Sequence, residues 1–175
     1  MVAFNENERY VEGDIKGKYK SYNANFELGL AKDYLIGDFV LSPLGYFSYG
    51  YIYQDSFRES GEIFAKNYDS INHDTITAAL GLNSSYKVSD NLRYTGFVLY
   101  ERMLNGYDMD AQAEFNDFKG EKFTQRYHLD KNRLNIGLGS EYATNSGYFF
   151  KFGVGGEFAT TSDNLNISAT IGKRF

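Results

Sequence analysis

The 175-residue chain predicts an all-β fold, an antiparallel up-and-down sheet, and three observations predict it. Apolar side chains recur at every second position in almost every patterned stretch, which is the period of a strand with two unlike faces. Short and long connections alternate along the chain. The polar faces are built from Gly, Ser, Asn and Thr rather than from long charged residues.

The strands follow in order. Between Ser21 and Ala31, Tyr22, Ala24, Phe26, Leu28 and Leu30 alternate with Ser21, Asn23, Asn25, Glu27 and Gly29. From Asp38 to Tyr53, Phe39, Leu41, Phe47, Tyr49 and Tyr51 share one parity, with Ser42, Ser48 and Gly50 on the other. Pro43 lies in this segment, where a proline is expected only on an edge or at a strand start. Ile76, Ala78, Leu80 and Leu82 then oppose Thr75, Thr77, Ala79 and Gly81. The next strand sets Leu92, Tyr94, Val98 and Tyr100 against Arg93, Thr95 and Glu101, although Phe97 and Leu99 also fall on its polar parity. Leu134, Ile136 and Leu138 alternate with Asn135, Gly137 and Gly139, and Tyr148, Phe150, Phe152 and Val154 with Lys151, Gly153 and Gly155. Leu165, Ile167, Ala169 and Ile171 close the series against Asn164, Asn166, Ser168, Thr170 and Gly172. These criteria count about seven strands.

Tight turns are signalled at Lys32-Asp33, Ser89-Asp90-Asn91 and Asn145-Ser146-Gly147. Between them lie two long polar connections, Gln54 to Asn72 and Met103 to Lys131, and a modest link runs from Ala159 to Asp163. In a meander this order puts every long connection at one end, as in outer-membrane barrels with short periplasmic turns and longer extracellular loops. Phe57 to Asp69 is patterned well enough to form a hairpin extension but no spanning strand. Residues 1–17 read as a polar N-terminal tail or loop and 18–175 as the β-barrel domain. The first residues turn polar at once, without the apolar core of a secretory signal, so the sequence reads as a mature chain or a fragment.

Two faces fit either a soluble barrel with an apolar interior or a membrane barrel with an apolar exterior. Residue size separates the two, because small side chains suit a crowded or occupied interior, whereas a soluble outer face would carry many Lys and Glu. Ionisable groups in the best strands, Glu27, Glu141, Lys151 and Glu157, stay on the polar parity and are the candidate lumen-lining residues. The chain has fifteen Phe and sixteen Tyr, and many of them cluster near strand ends. Tyr34, Tyr86, Tyr142, Tyr148 and Phe175 lie toward the short turns, and Tyr51, Tyr53, Tyr100, Tyr107 and Phe158 toward the long loops, as two interfacial girdles would. The fold class is therefore an antiparallel up-and-down transmembrane β-barrel, or a curved partial-barrel sheet of about seven to eight strands. A soluble ligand-binding barrel of lipocalin type is the bland alternative.

Composition narrows the remaining classes. Without Cys there is no disulfide scaffold or thiolate metal site. A mean hydropathy of -0.48 and the absence of a long apolar run exclude a helical membrane bundle. Eighteen basic against 23 acidic residues, a net charge of -5, argue against nucleic acid as a partner.

Taken together, the residues resemble the C-terminal translocator domain of bacterial autotransporters, the type V secretion barrels. The resemblance runs from about Lys18 to the end. It is carried by Leu41-Ser42-Pro43 leading into Tyr46-Phe47-Ser48-Tyr49, and by Phe57-Arg58-Glu59-Ser60-Gly61, which is similar to the family's Phe-x-Glu-x-Gly segment. Leu80-Gly81-Leu82 with Tyr86, Asn135-Ile136-Gly137-Leu138-Gly139 and the terminal Ile171-Gly172-Lys173-Arg174-Phe175 complete it. The resemblance implies location in the bacterial outer membrane, with outer-membrane lipid, the barrel assembly machinery and a passenger polypeptide as partners. It also implies that Ile171, Gly172 and Phe175 belong to a membrane assembly signal. Lys173 departs from the aromatic or aliphatic residue often found there, but a lysine beside the interface can snorkel. Family barrels have twelve strands preceded by a helix through the pore, so the chain resembles the C-terminal portion alone. A small self-contained barrel like OmpA or OmpX, acting as an adhesin through its long loops, is the other reading.

No catalytic constellation, cofactor site or metal site is expected, and the chain does not read as an enzyme. His73 and His128 fall in loop regions without companions at metal-ligand spacing. Adjacent strand residues point to opposite faces, so Glu101 and Arg102 do not form a site together. Glu141 and Lys151 fall on the lumen parity of neighbouring strands and are expected to pair across the sheet.

Overall fold

A computed structural model describes residues 2–12, 15–61, 64–118 and 120–173, with side chains described from residue 15 onward. The described residues form strands almost throughout: β1 (Val2–Glu12), β2 (Ile15–Ala31), β3 (Tyr34–Ile36), β4 (Phe39–Gln54), β5 (Phe57–Arg58), β6 (Lys66–Tyr68), β7 (Ile71–Lys87), β8 (Leu92–Asn105), β9 (Asp108–Phe115), β10 (Lys122–His128), β11 (Asn132–Ala143), β12 (Tyr148–Ala159) and β13 (Asp163–Lys173). One sheet has the order β1-β2-β4-β7-β8-β11-β12-β13, with β3 paired to β4. A second has the order β10-β9-β6-β5. In the first sheet each long strand pairs with the next long strand in the chain, the up-and-down meander that the alternating loop lengths imply.

The chain divides into two compact units. One comprises residues 28–47, 77–103 and 130–175, a curled antiparallel sheet with the opposite of a globular burial pattern. Leu28, Leu30, Leu80, Leu138, Leu165 and Ile167 are between 67% and 86% exposed, while Thr77 and Ala79, on the polar parity, are buried. That inversion is what lipid outside and a crowded interior require. Tyr34, Tyr86, Tyr142 and Tyr148 at the short-turn ends are all exposed, as are Tyr100 and Phe158 at the other end. Tyr51, Tyr53 and Tyr107 are half-buried, and Phe175 lies outside the described residues.

The other unit comprises residues 1–27, 48–76 and 104–129, and it contains the four-stranded sheet. Ala111 and Ala113 on β9 are buried, as are Ala65 and Glu59 in the connection before β6. Phe57 stacks on Tyr68 at 4.7 Å and lies tilted against Tyr19 at 4.9 Å, and Phe115 packs on Phe123 at 5.2 Å. One face of this sheet thus carries its apolar packing, with buried alanines beside half-buried aromatics, while Gln125 and Tyr127 on β10 are exposed. Its other face is a ladder of charge pairs.

Several expectations change. Residues 1–17, read as a tail or loop, contain β1, which pairs with β2 along its whole length from Val2↔Asn25 to Glu12↔Ile15. Its polar composition hid it, because its period-two signal is weak. The stretch Gln54 to Asn72 does carry a short hairpin, with Phe57 opposite Tyr68. Met103 to Lys131, however, is no plain loop: it holds β9 and β10. The reversal expected at Lys32-Asp33 occurs after β3, at Gly37-Asp38, where Gly37 adopts φ 62°, a left-handed conformation that favours glycine. Pro43 sits inside β4, which is flanked by strands on both sides, and its carbonyl accepts from the Lys32 N–H at 3.2 Å. It lies near the start of β4, where β2 gives way to the β3 hairpin. His73 and His128 are strand residues in β7 and β10 rather than loop residues.

Candidate functional site

The polar face of the curled sheet is built from register rows, since residues directly opposite one another in antiparallel strands share a face. Arg93, Glu141, Lys151 and Thr170 form one row across β8, β11, β12 and β13. Successive rows are Thr95-Gly139-Gly153-Ser168, Phe97-Gly137-Gly155-Asn166 and Leu99-Asn135-Glu157-Asn164. The first three of these rows line a cavity of about 770 Å³, to which Asp33 and Ser42 also contribute. Opposed glycines at its centre leave the backbone of β11 and β12 bare toward that space.

The rows also place Phe97 and Leu99, the two apolar residues on a polar parity. The Phe97 ring lies over Gly137, so that a Cβ there would collide with it, and Leu99 Cδ1 would stand 2.8 Å from a Cβ on Gly81. Glycine on one strand makes room for a large side chain on the next, so β8 keeps its orientation despite two apolar residues on its polar face.

Of the four candidate lumen residues, Glu141 and Lys151 line the cavity together, with Lys151 Nζ 3.2 Å from Glu141 Oε2. The cross-strand pairing expected from parity is present. Glu157 is half-buried between Asn135 and Asn164. Glu27 is exposed on β2, which belongs to the other unit up to this residue.

Glu101 was missed as part of a larger polar cluster. Its Oε1 accepts from the Tyr46 hydroxyl at 2.7 Å and its Oε2 from Asn135 Nδ2 at 2.9 Å, with Arg133 Nε at 3.8 Å. Arg102 takes no part in this cluster, as alternation requires. The Glu101 side chain is 14% exposed, and charged hydrogen bonds of this kind offset the cost of its burial. Only the parity of Tyr46 could have hinted at the cluster, since its partner lies 55 residues away.

At the C-terminal end, Ile171 is 70% exposed and Gly172 lies under the Phe149 ring. Lys173 Nζ stands 5.0 Å from the Tyr148 ring centroid, so the residue that departs from the family pattern has found an aromatic partner beside the short turn. Phe175 falls outside the described residues. At the opposite strand ends, Asp130 accepts from Thr161 N at 2.9 Å, Thr161 Oγ1 at 2.7 Å and Ser162 Oγ at 3.0 Å, tying the start of β11 to the β12–β13 turn. The Thr161 hydroxyl first, and then Ser162, hold the Asp130 carboxyl below the usual carboxylate range.

Against known proteins, the model of the Autotransporter beta-domain family matches residues 2–170. Among solved structures, the chain is similar to the translocator domain of autotransporter NalP from Neisseria meningitidis, at 17% identity with a TM-score of 0.70. That similarity covers 99% of this chain and 57% of that one, so the chain spans little more than half the length of the relative it matches. No curated protein sequence matches the chain. With nearly its whole length matched by the family model and its curled antiparallel sheet shared with a translocator domain, the chain belongs to the Autotransporter beta-domain family of the bacterial outer membrane.

Proposed function

We propose that this chain forms much of the membrane barrel of an autotransporter, anchoring in the outer membrane and exporting or displaying a passenger polypeptide along its small-lined face. The inverted burial of the curled sheet carries this reading: its large apolar side chains face outward while Gly, Ser, Thr and Asn line a cavity. The cavity face would contact the passenger, with Glu141 and Lys151 setting its charge, and Glu27 and Glu157 would line the lumen on the polar parity of their own strands. Outward Leu and Ile side chains would meet lipid. Ile171, Gly172 and Phe175 would be read by the barrel assembly machinery. The role is that of an anchor and conduit rather than an enzyme, and the family membership favours it over a small adhesin barrel.

The test is an epitope placed ahead of this chain in the polypeptide as encoded, with antibody labelling of intact cells. The expected result is a labelled cell surface together with a heat-modifiable band in the outer-membrane fraction. A barrel that reaches the outer membrane while its epitope stays inaccessible would sink the export reading.

A further inference from the structure

In β2, Lys16, Lys18 and Lys20 alternate with Gly17, Tyr19 and Ser21. The lysines are all exposed, while Gly17 and Ser21 are buried and Tyr19 is half-buried. Counted along the strand, the lysines share their parity with Tyr22, Phe26, Leu28 and Leu30, all of them exposed, so they extend the lipid-facing row toward the long connections. Tyr22 lies 6.2 Å from Tyr53, an aromatic pair of the kind that marks a membrane boundary. From Tyr22 to Leu30 the row covers nine residues, close to the roughly 9 to 11 that a tilted strand needs to cross the hydrocarbon layer. At about 3.3 Å per residue and a tilt of about 45°, the step from Lys20 to Lys16 adds about 9 Å of height beyond that boundary.

The flanking strands bring no matching acid. Arg9 stands opposite Lys18 in the register of β1 on β2, whereas Glu6, Glu8 and Glu12 stand opposite Ser21, Tyr19 and Ile15, on the alternate rows. On the other flank Ser60 faces Lys16, the two backbones exchanging hydrogen bonds at 2.8 and 2.9 Å, and Asp55 donates its N–H to the Lys20 carbonyl at 3.0 Å. Among the described residues none of the three ammonium groups forms an ion pair. Lys122, Arg126 and His128 of β10, by contrast, are held by Asp69, Asp110 and Asp108.

We propose that Lys16, Lys18 and Lys20 form a binding stripe for the phosphorylated sugar headgroup of a glycolipid in the outer leaflet of the membrane. Its acyl chains would lie against Phe26, Leu28 and Leu30 of the same row. Its phosphates, set at successive heights, would be met by ammonium groups acting as point charges. Like charges on one face repel one another, and an anion held between them removes that cost. The apolar row and the cationic row are continuous on one strand, which favours an anionic lipid over a soluble polyanion, since the latter would use the charge alone. The proposal rests on the outer-membrane location of the chain and not on export.

The experiment uses the polypeptide as encoded, purified in non-ionic detergent, with EDTA present so that no divalent ion bridges the phosphates. A fluorescent rough-type lipopolysaccharide is compared with the same glycolipid after removal of its phosphates, and with heparin as a soluble polyanion. The phosphorylated glycolipid is expected to bind and to protect Lys16, Lys18 and Lys20 from an amine-acylating reagent, while labelling of the paired Lys122 changes little. Lys16→Gln, Lys18→Gln and Lys20→Gln together should weaken binding about tenfold, and three arginines at the same positions should hold it within about twofold. Removing the phosphates should weaken binding to the unaltered protein by a similar factor and change little for the glutamine variant. Equal binding of the two glycolipids, unprotected lysines, or a glutamine variant that binds as tightly as the unaltered protein would overturn the proposal. So would heparin bound as tightly and with the same dependence on the lysines, which marks a soluble polyanion as the occupant. If the glutamine variant loses its heat-modifiable band, protection of the lysines in the unaltered protein decides alone. No readout depends on export, so a surface epitope that stays inaccessible counts against the export reading alone.

Discussion

The two units bury their sheet faces in opposite directions. In the unit holding β11 to β13, Leu138 is 67% exposed and Leu165 71%, while its neighbours on the alternate parity are Gly, Ser and Asn lining a cavity. In the other, Ala111 and Ala113 are 3% and 2% exposed on one face of a four-stranded sheet whose other face is a charge ladder. Both obey the same rule, that apolar surface leaves water. What differs is the solvent beyond each face: lipid for the spanning strands, water for the sheet built from the long connections. Exposure in coordinates is thus not exposure to water.

Placing a charge on each side of the spanning sheet is the strongest way to break this comparison. Leu138→Arg should cost roughly 2 to 4 kcal/mol if it lies near the bilayer midplane, whereas Ser168→Arg, on the cavity face, should cost far less. Urea unfolding of the protein refolded in lipid vesicles measures both, and equal costs would remove the distinction between lipid and lumen faces.

The four-stranded sheet should respond to volume rather than to charge. Ala113→Leu overpacks a buried position and should destabilise that sheet by roughly 1 to 3 kcal/mol. Limited proteolysis is expected to cut between residues 104 and 129 while the heat-modifiable shift persists. Loss of both together would mean that the two units do not melt separately.

A smaller effect is expected from the cavity pair. Glu141→Lys and Lys151→Glu should each weaken stability or export slightly, and the double swap should restore it, with a coupling of about 0.2 to 1 kcal/mol for a pair this accessible. Indifference to both single reversals would remove the pair from the lumen's working parts.

The smallest effect is set by pH. Hydrogen bonds from Thr161 and Ser162 hold the Asp130 carboxyl below the ordinary carboxylate range, so its stabilising contribution is fully present above that range. It is lost as the pH falls through the depressed folded value. Exchange at the Thr161 amide should accelerate only in that acid range, and Asp130→Asn should reduce the pH dependence. Acceleration already near neutral pH would point to another group.

How much was legible in the sequence depends on how long a stretch each feature needed. The strand from Ser21 to Ala31 showed its two faces without help, because a membrane strand meets one solvent on each side over its whole length. The parity of Glu141 and Lys151 on neighbouring strands likewise sufficed to pair them. Phe97 looked anomalous in its own strand, and only Gly137 on β11 accounts for it. Glu101 was judged beside Arg102, its neighbour in sequence, while its partners Tyr46 and Asn135 come from other strands. β5 and β6 are two and three residues long, too short for a period to register, and β6 becomes a strand by pairing with β9.

Period, residue size and loop order by themselves determined that this chain makes an antiparallel sheet with a lipid face and a small-residue face, since both are properties of a single strand in its solvents. Tertiary structure decided the rest: the register that sets glycines opposite one another under Phe97, the Tyr46-Glu101-Asn135 cluster, and the four-stranded sheet. Those depend on contacts between residues tens of positions apart, whose loop-closure cost is offset only when the strands between them have already paired.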